Sequence, residues 1–169
     1  MRLDRRVETV EASADFESFF RSERPRLLGS MLLITGSTHE ADELVQEAFF
    51  KIWERWDRVG AMENPTGYLY RTALNAHRSA YRRAIRAAKR TLSPPTSADP
   101  FTEVAARDEV LRALGAMTPR QRTAVVLTEL HGYETDAAAK AMGIRPGTVR
   151  VLVSKARVAL RTTTEPDDA

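Results

Sequence analysis

Between Thr38 and Trp56 apolar residues return every three or four positions: Ala41, Leu44, Val45, Ala48, Phe49, Ile52 and Trp56. At about 100° per residue they gather on one side of a helix. Ordinary burial preference makes that side a core face. The opposite side carries Glu43, Gln46, Glu47, Phe50, Glu54 and Asp57. The same period runs through most of the chain, and no segment alternates as a half-buried strand would. Phe16, Phe19, Phe20, Leu27, Met31 and Leu32 define an earlier helix, with Asp15 as its expected cap and Thr35–Thr38 (TGST) as its end. DRVGAMENPTG reads as a loop, and Asn64-Pro65 opens a third helix to about Lys89, because proline suits a first turn.

LSPPTSADP, Leu92 to Pro100, cannot pack as an element, since two adjacent prolines and small polar residues punctuate it. Beyond it the pattern predicts a helix from about Thr102 to Gly115, another opened by Thr118-Pro119, a short one from Asp136 to Met142, and a final one. The expected fold is all-α: two small helical domains joined by a flexible linker. The boundaries fall at 1–90, a linker at 91–101, a second domain at 102–163 and a disordered tail at 164–169. With 169 residues the chain suffices for two such units.

Charge changes this picture locally rather than globally. The formal net charge is only +3, yet no acid occurs between Glu63 and Asp99 or between Asp136 and Glu165. In the third helix Tyr68, Arg71, Asn75, Arg78, Arg82, Arg86 and Lys89 stand three or four apart and make one stripe. A solvated basic face would normally carry acids for i,i+4 pairing, and none is available here. The stripe therefore points to nucleic-acid phosphates, with Tyr68 as a stacking platform and Asn75 as a base-edge reader. The small seam Leu69, Ala73, Ala76 and Ala80 allows a neighbouring helix to approach closely.

A second basic surface lies in GIRPGTVRVLVSKAR, Gly143 to Arg157. Val149, Leu152, Val153, Ala156 and Leu160 form its inner face; Gly147, Val151, Ser154, Lys155 and Val158 point outward, flanked by Arg150 and Arg161. An alanine-rich helix precedes it and ends at Gly143, an expected left-handed cap. Helix, glycine turn and second helix form a helix-turn-helix pattern, whose second helix enters the major groove. Pro146 suits the first turn, and Gly147 and Thr148 beside it leave N–H donors for a phosphate. The acidic face with Phe50 has the composition of a docking surface for a basic partner.

Other chemistries lack their residues. There is no cysteine, so disulfides and thiolate sites are excluded. His39, His77 and His131 stand in no H-E-x-x-H or E-x-x-H pattern, and no phosphate-binding glycine loop occurs. His77 is expected to pack beside the core seam, His39 to lie on the surface, and His131 to end its helix, where a cation suits the dipole. The expectation is a protein without enzymatic activity, cofactor, metal or small-molecule substrate. No run is long enough to span a membrane and MRLDRRVETVEAS has no signal-peptide core, so a cytoplasmic location is expected.

Three segments, ADELVQEAFFKIWERW (41–56), NPTGYLYRTALNAHRSAYRR (64–83) and MTPRQRTAVVLTELHGYETDAAAKAMGIRPGTVRVLVSKARVALR (117–161), together resemble an extracytoplasmic-function (group IV) sigma factor of the sigma-70 superfamily. The resemblance implies a promoter-specificity subunit of RNA polymerase. Asp42, Glu43, Gln46, Glu47, Phe50 and Trp53 would then dock on the clamp helices of the polymerase large subunit. Tyr68, Arg71, Asn75, Arg78 and Arg82 would read the −10 element, with a base flipped into a pocket near residues 60–66. Arg145, Gly147, Thr148, Arg150, Val151, Ser154, Lys155 and Arg157 would read the −35 element. An anti-sigma protein is a further implied partner. The family usually has glutamate where Ala137 stands, and more polar residues at Val151 and Ser154. A stand-alone helix-turn-helix regulator would account for the last helix, but not for the acidic face or the first basic stripe.

Overall fold

The computed structural model describes the backbone of residues 3–91 and 113–164, and the side chains of 14–84, 86 and 113–161. Among these residues every regular element is helical. The order is α1 (Leu3–Thr35), α2 (Thr38–Trp53), α3 (Trp56–Val59), α4 (Pro65–Thr91), α5 (Pro119–Val125), α6 (Thr135–Met142) and α7 (Pro146–Thr164). Thr91 and Thr164, expected to open the linker at 91–101 and the tail at 164–169, instead end α4 and α7; the rest of the linker and tail and nearly all of the helix expected over 102–115 lie outside the described residues.

α1 corrects one expectation. It begins at Leu3, so Asp15 sits inside the helix and does not cap it. The residues before Asp15 include no glycine or proline to break the helix, and helix propagation adds a hydrogen bond per residue fixed. Termination follows the TGST reading. Gly36 takes φ 74°, a left-handed conformation that glycine adopts without strain. Ser37 then caps α2, its hydroxyl accepting from the Glu40 amide at 3.3 Å. The expected loop after α2 contains the short helix α3. Asn64 opens α4 as expected, its side-chain oxygen accepting from the Gly67 amide at 2.7 Å.

The core face of α2 is placed as its period required: Ala41, Leu44, Val45, Ala48, Phe49 and Ile52 are buried. Each large apolar side chain taken out of water contributes about 1.5–3 kcal/mol. α1 lies along α2 and covers its end with an aromatic cluster. Phe16 meets Trp53 at 4.7 Å and Trp56 at 5.3 Å between ring centroids, and Phe20 meets Phe49 at 4.8 Å. On the other side α4 supplies Leu69, Ala73 and Ala76, all buried.

The C-terminal helices begin with a capping box. Thr118 and Gln121 each hold the other's backbone amide, and Pro119 occupies the first turn. α5 runs into one π-helical turn, Val126–Leu130. Gly143 takes φ 64° between α6 and α7, the expected left-handed cap. The two halves share one apolar cluster running from Leu27 and Leu69 to Leu127 and Met142.

His131 ends its helix as expected, at the close of the π turn, and packs inward there: its Nε2 lies 2.6 Å from the Ser30 hydroxyl, and its ring stands edge-on to Tyr70 at 5.0 Å. Burial, then the Arg26 charge, lowers its pKa below 6.5, while Glu23 opposes the shift. Burial raises Tyr70 and Tyr133 above the usual phenol value. The folded state thus binds fewer protons than the unfolded chain just below the histidine's ordinary value. This contribution to stability is complete above about pH 6.5 and is lost as pH falls through the folded pKa. Melting followed between pH 7.5 and 5 should show that loss, and His131→Asn should flatten it.

Candidate nucleic-acid interface

The α4 stripe faces outward where its spacing put it. Arg71, Asn75, Arg82 and Arg86 are exposed, and Tyr68 is half-buried at the first turn. Asn64 and Pro65 fix where this helix starts, and the seam of Leu69, Ala73 and Ala76 fixes its rotation. Arg78 is different. It is half-buried, and its guanidinium donates to the Met142 carbonyl and to the Asn75 side-chain oxygen. Burial, then the charges of Arg82, Arg120 and Arg71, lowers its pKa from the ordinary arginine value. Four cations therefore converge here, one of them, Arg120, from the other half of the chain. Sequence reasoning missed Arg120 because it belongs to a different helix with no stripe of its own.

His77 packs beside the seam as expected, with Nδ1 3.1 Å from a Glu40 carboxylate oxygen. His39 is a surface residue at the start of α2, 3.4 Å from Glu43.

The helix-turn-helix surface is formed by α6, the Gly143 turn and α7. Val149 and Ala156 are buried, with Leu152, Val153 and Leu160 half-buried around them. That anchoring turns Arg145, Gly147, Thr148, Arg150, Val151, Ser154 and Lys155 outward, all of them exposed. The Thr148 amide donates to the Arg145 carbonyl at 2.9 Å, so it is not a free anion donor at this helix start. Arg157 is exposed but donates to Glu129 at 2.7 Å, which holds it against the π turn. Val151 is 52% exposed and has only an apolar surface to offer, as a thymine methyl would require.

A third surface lies on α2. Glu43, Gln46, Glu47, Phe50 and Trp53 are exposed together, Phe50 at 63% and Trp53 at 47%. Trp53 rests one face on Phe16. Asp42 is more engaged: one oxygen accepts from Arg24 of α1 at 3.0 Å and the other from Gln46 at 2.7 Å. Glu47 pairs with Lys51 at 2.5 Å along the same helix. Anions and a projecting aromatic thus share one rigid helix face, while both basic surfaces stand on other helices. No described helix is long and apolar enough to cross a membrane.

Comparison with known proteins assigns both halves. The model of sigma-70 region 2 matches residues 19–99, and that of sigma-70 region 4 matches residues 107–160. An RNA polymerase sigma-E factor of Streptomyces avermitilis is 29% identical over 91% of this chain and 87% of its own length. The ECF RNA polymerase sigma factor SigG of Mycobacterium tuberculosis is 26% identical over 90% of this chain and 49% of its own. Among solved structures, the sigma factor RpoE of Bartonella quintana, in complex with the anti-sigma factor NepR, shares the fold. Its TM-score is 0.71 at 22% identity, over 90% of this chain and 98% of that one. With the two regions in this order, and relatives matched along nearly its whole length, the chain belongs to the extracytoplasmic-function sigma factors of the sigma-70 family.

Proposed function

We propose that this chain is a promoter-specificity subunit of bacterial RNA polymerase and that its three exposed surfaces divide the work. The observation that carries the reading is the segregation of charge on rigid helices: acids with Phe50 and Trp53 on α2, and acid-free basic faces on α4 and α7. Residues 1–90 form the domain that docks on the polymerase and engages the −10 element. Residues 91–101 link it to residues 102–163, which engage the −35 element, with 164–169 as a tail.

Asp42, Glu43, Gln46, Glu47, Phe50 and Trp53 face the clamp helices of the polymerase large subunit. Phe50 and Trp53 are the anchors, because a few large apolar side chains carry most of an interface's energy. Tyr68, Arg71, Asn75, Arg78 and Arg82 meet the −10 strand, where stacking and phosphate contacts offset the few kcal/mol needed to extrude a base. Arg145, Arg150, Lys155 and Arg157 position the second domain on phosphates. Gly147, Thr148, Val151 and Ser154 approach the base edges of the −35 element. Each tether raises the effective concentration of the other contact, so two elements at fixed spacing are read as a unit. An anti-sigma protein that covers these faces would switch the activity off.

The phosphate role has a direct signature. Holoenzyme reconstituted with sigma-free core should bind its promoters with log K falling linearly in log salt. Lys155→Ala should weaken binding about equally across promoter sequences and reduce that slope by about one. An unchanged slope in a competition assay from 50 to 200 mM salt would remove Lys155 from the DNA surface.

A further inference from the structure

Arg78 carries a charge that nothing beside it neutralises. Its guanidinium donates to the Met142 carbonyl and to the Asn75 side-chain oxygen, both uncharged, and its buried Nε meets no acceptor. Arg82 of α4 and Arg120 of α5 stand with it around a cavity of about 550 Å³. None of the described residues lining that cavity is acidic. Among the described residues, the ion pairs of the acids go to other cations than these three arginines. Like charges held together in a concave, partly apolar space raise the local potential and draw an anion into it. Guanidinium forks match phosphate oxygens in pairs, which favours phosphate among anions.

The rest of the lining suits more than a bare anion. Leu74 and Met142 are buried against the same space, and Tyr81 beside them is 55% exposed. Leu74, Arg78 and Tyr81 follow one another along α4 by four and three positions, so an apolar wall, a cation and a ring share one face. An aromatic ring left open beside guanidinium groups can stack on any nucleobase. A volume of about 550 Å³ lies within the range of small-molecule sites, and a lone phosphate would leave most of it empty.

We propose that this cavity is a binding site for a nucleoside polyphosphate, with Arg78, Arg82 and Arg120 on the phosphates, Tyr81 on the base, and Leu74 and Met142 as the apolar wall. Two or three linked phosphates balance three cations. The nucleoside accounts for the ring and for the volume that an inorganic anion leaves unused. The site stands whether or not α4 reads the −10 element, because Arg120 and Tyr81 lie outside that set of residues.

Isothermal titration calorimetry on the free full-length chain tests this with ATP, GTP, adenosine and inorganic tripolyphosphate. Divalent metal is left out, and salt is held at about 0.15 M, where loose surface attraction is screened. ATP or GTP should bind one to one with a Kd of about 10–100 μM. Adenosine and tripolyphosphate should each bind at least about tenfold more weakly, since each lacks one set of contacts. Arg120→Ala should weaken nucleotide binding about tenfold, the effect of one charge-assisted contact. Tyr81→Ala should weaken it by about the same factor and leave tripolyphosphate unchanged, while Tyr81→Phe keeps full affinity. Both side chains are exposed, and circular dichroism confirms that the variants fold. Failure of both nucleotides to saturate the chain by about 1 mM would overturn the site. Tripolyphosphate binding as tightly as the nucleotides would reduce the cavity to a plain anion patch and equally overturn the proposal. Unchanged nucleotide affinity in Arg120→Ala or in Tyr81→Ala would move the ligand out of this cavity and reject it.

Discussion

Arg122→Ala is expected to destabilise the protein by about 3–5 kcal/mol, because it strips a donor from three carbonyls, and while Leu114 keeps the Met117 amide, the buried Ile34 and Met117 carbonyls lose a partner that costs about 1–3 kcal/mol each when unreplaced. Arg122 is only 2% exposed. Its Nε donates to the Ile34 carbonyl at 3.0 Å, and Nη1 donates to Leu114 at 3.2 Å and Met117 at 3.0 Å. Ile34 lies in the last turn of α1, where carbonyls have no partner within their own helix. The cation also complements the negative end of that helix. One guanidinium therefore stitches the end of α1 to the start of the C-terminal half. A domain of this kind has about 5–15 kcal/mol in total, so the loss is a large share of it. Arg122→Lys should recover only part, since an ammonium cannot reproduce the planar fork. Urea unfolding measures both variants. A loss below about 1 kcal/mol for Arg122→Ala, the scale of a typical surface substitution, would mean that water satisfies those carbonyls instead.

The second large effect concerns binding rather than stability. Glu47→Arg combined with Phe50→Ala should weaken association with core polymerase at least a hundredfold, about 3 kcal/mol, with little cost to folding. Phe50 projects from α2 and is 63% exposed, so truncating it leaves no core cavity. The Glu47–Lys51 pair joins two exposed side chains, and such pairs contribute about 0–1 kcal/mol. Reversing the Glu47 charge places a cation where a basic partner surface is expected, and rim charges of like sign suppress association. Surface-immobilised core polymerase reports the affinity, and thermal melting reports the fold. A variant that binds as tightly as its parent would move the docking surface off α2.

These two sites differ in how far the sequence revealed them. The α2 surface was legible because its core face is strictly periodic; once Leu44, Val45, Phe49 and Ile52 are turned inward, Glu47 and Phe50 can only turn out. The same logic set the α4 stripe and the outer face of α7. Gly143 and Thr118-Pro119 marked their turns through backbone chemistry that few other residues supply. Arg122 was not legible. In TPRQRTAV it reads as one more surface cation, and its partners stand up to 88 positions away. The Ser30–His131 contact joins residues 101 apart, and Arg78 meets Met142 across 64. No local period encodes contacts of that separation. Asp15 misled for a related reason: it has the chemistry of a cap, but nothing before it stops the helix.

The central claim is that this chain directs RNA polymerase to two-part promoters through α2, α4 and α7. Run-off transcription tests it most directly. Purified chain is added to sigma-free bacterial core polymerase with a fragmented genomic library, beside the Glu47→Arg/Phe50→Ala variant. The expected result is a set of discrete transcripts with the parent and none with the variant, their start sites sharing two upstream elements at constant spacing. Absence of any core-dependent transcript, together with discrete salt-sensitive DNA binding by the chain alone, would contradict the account and assign the helix-turn-helix to a regulator that acts without polymerase.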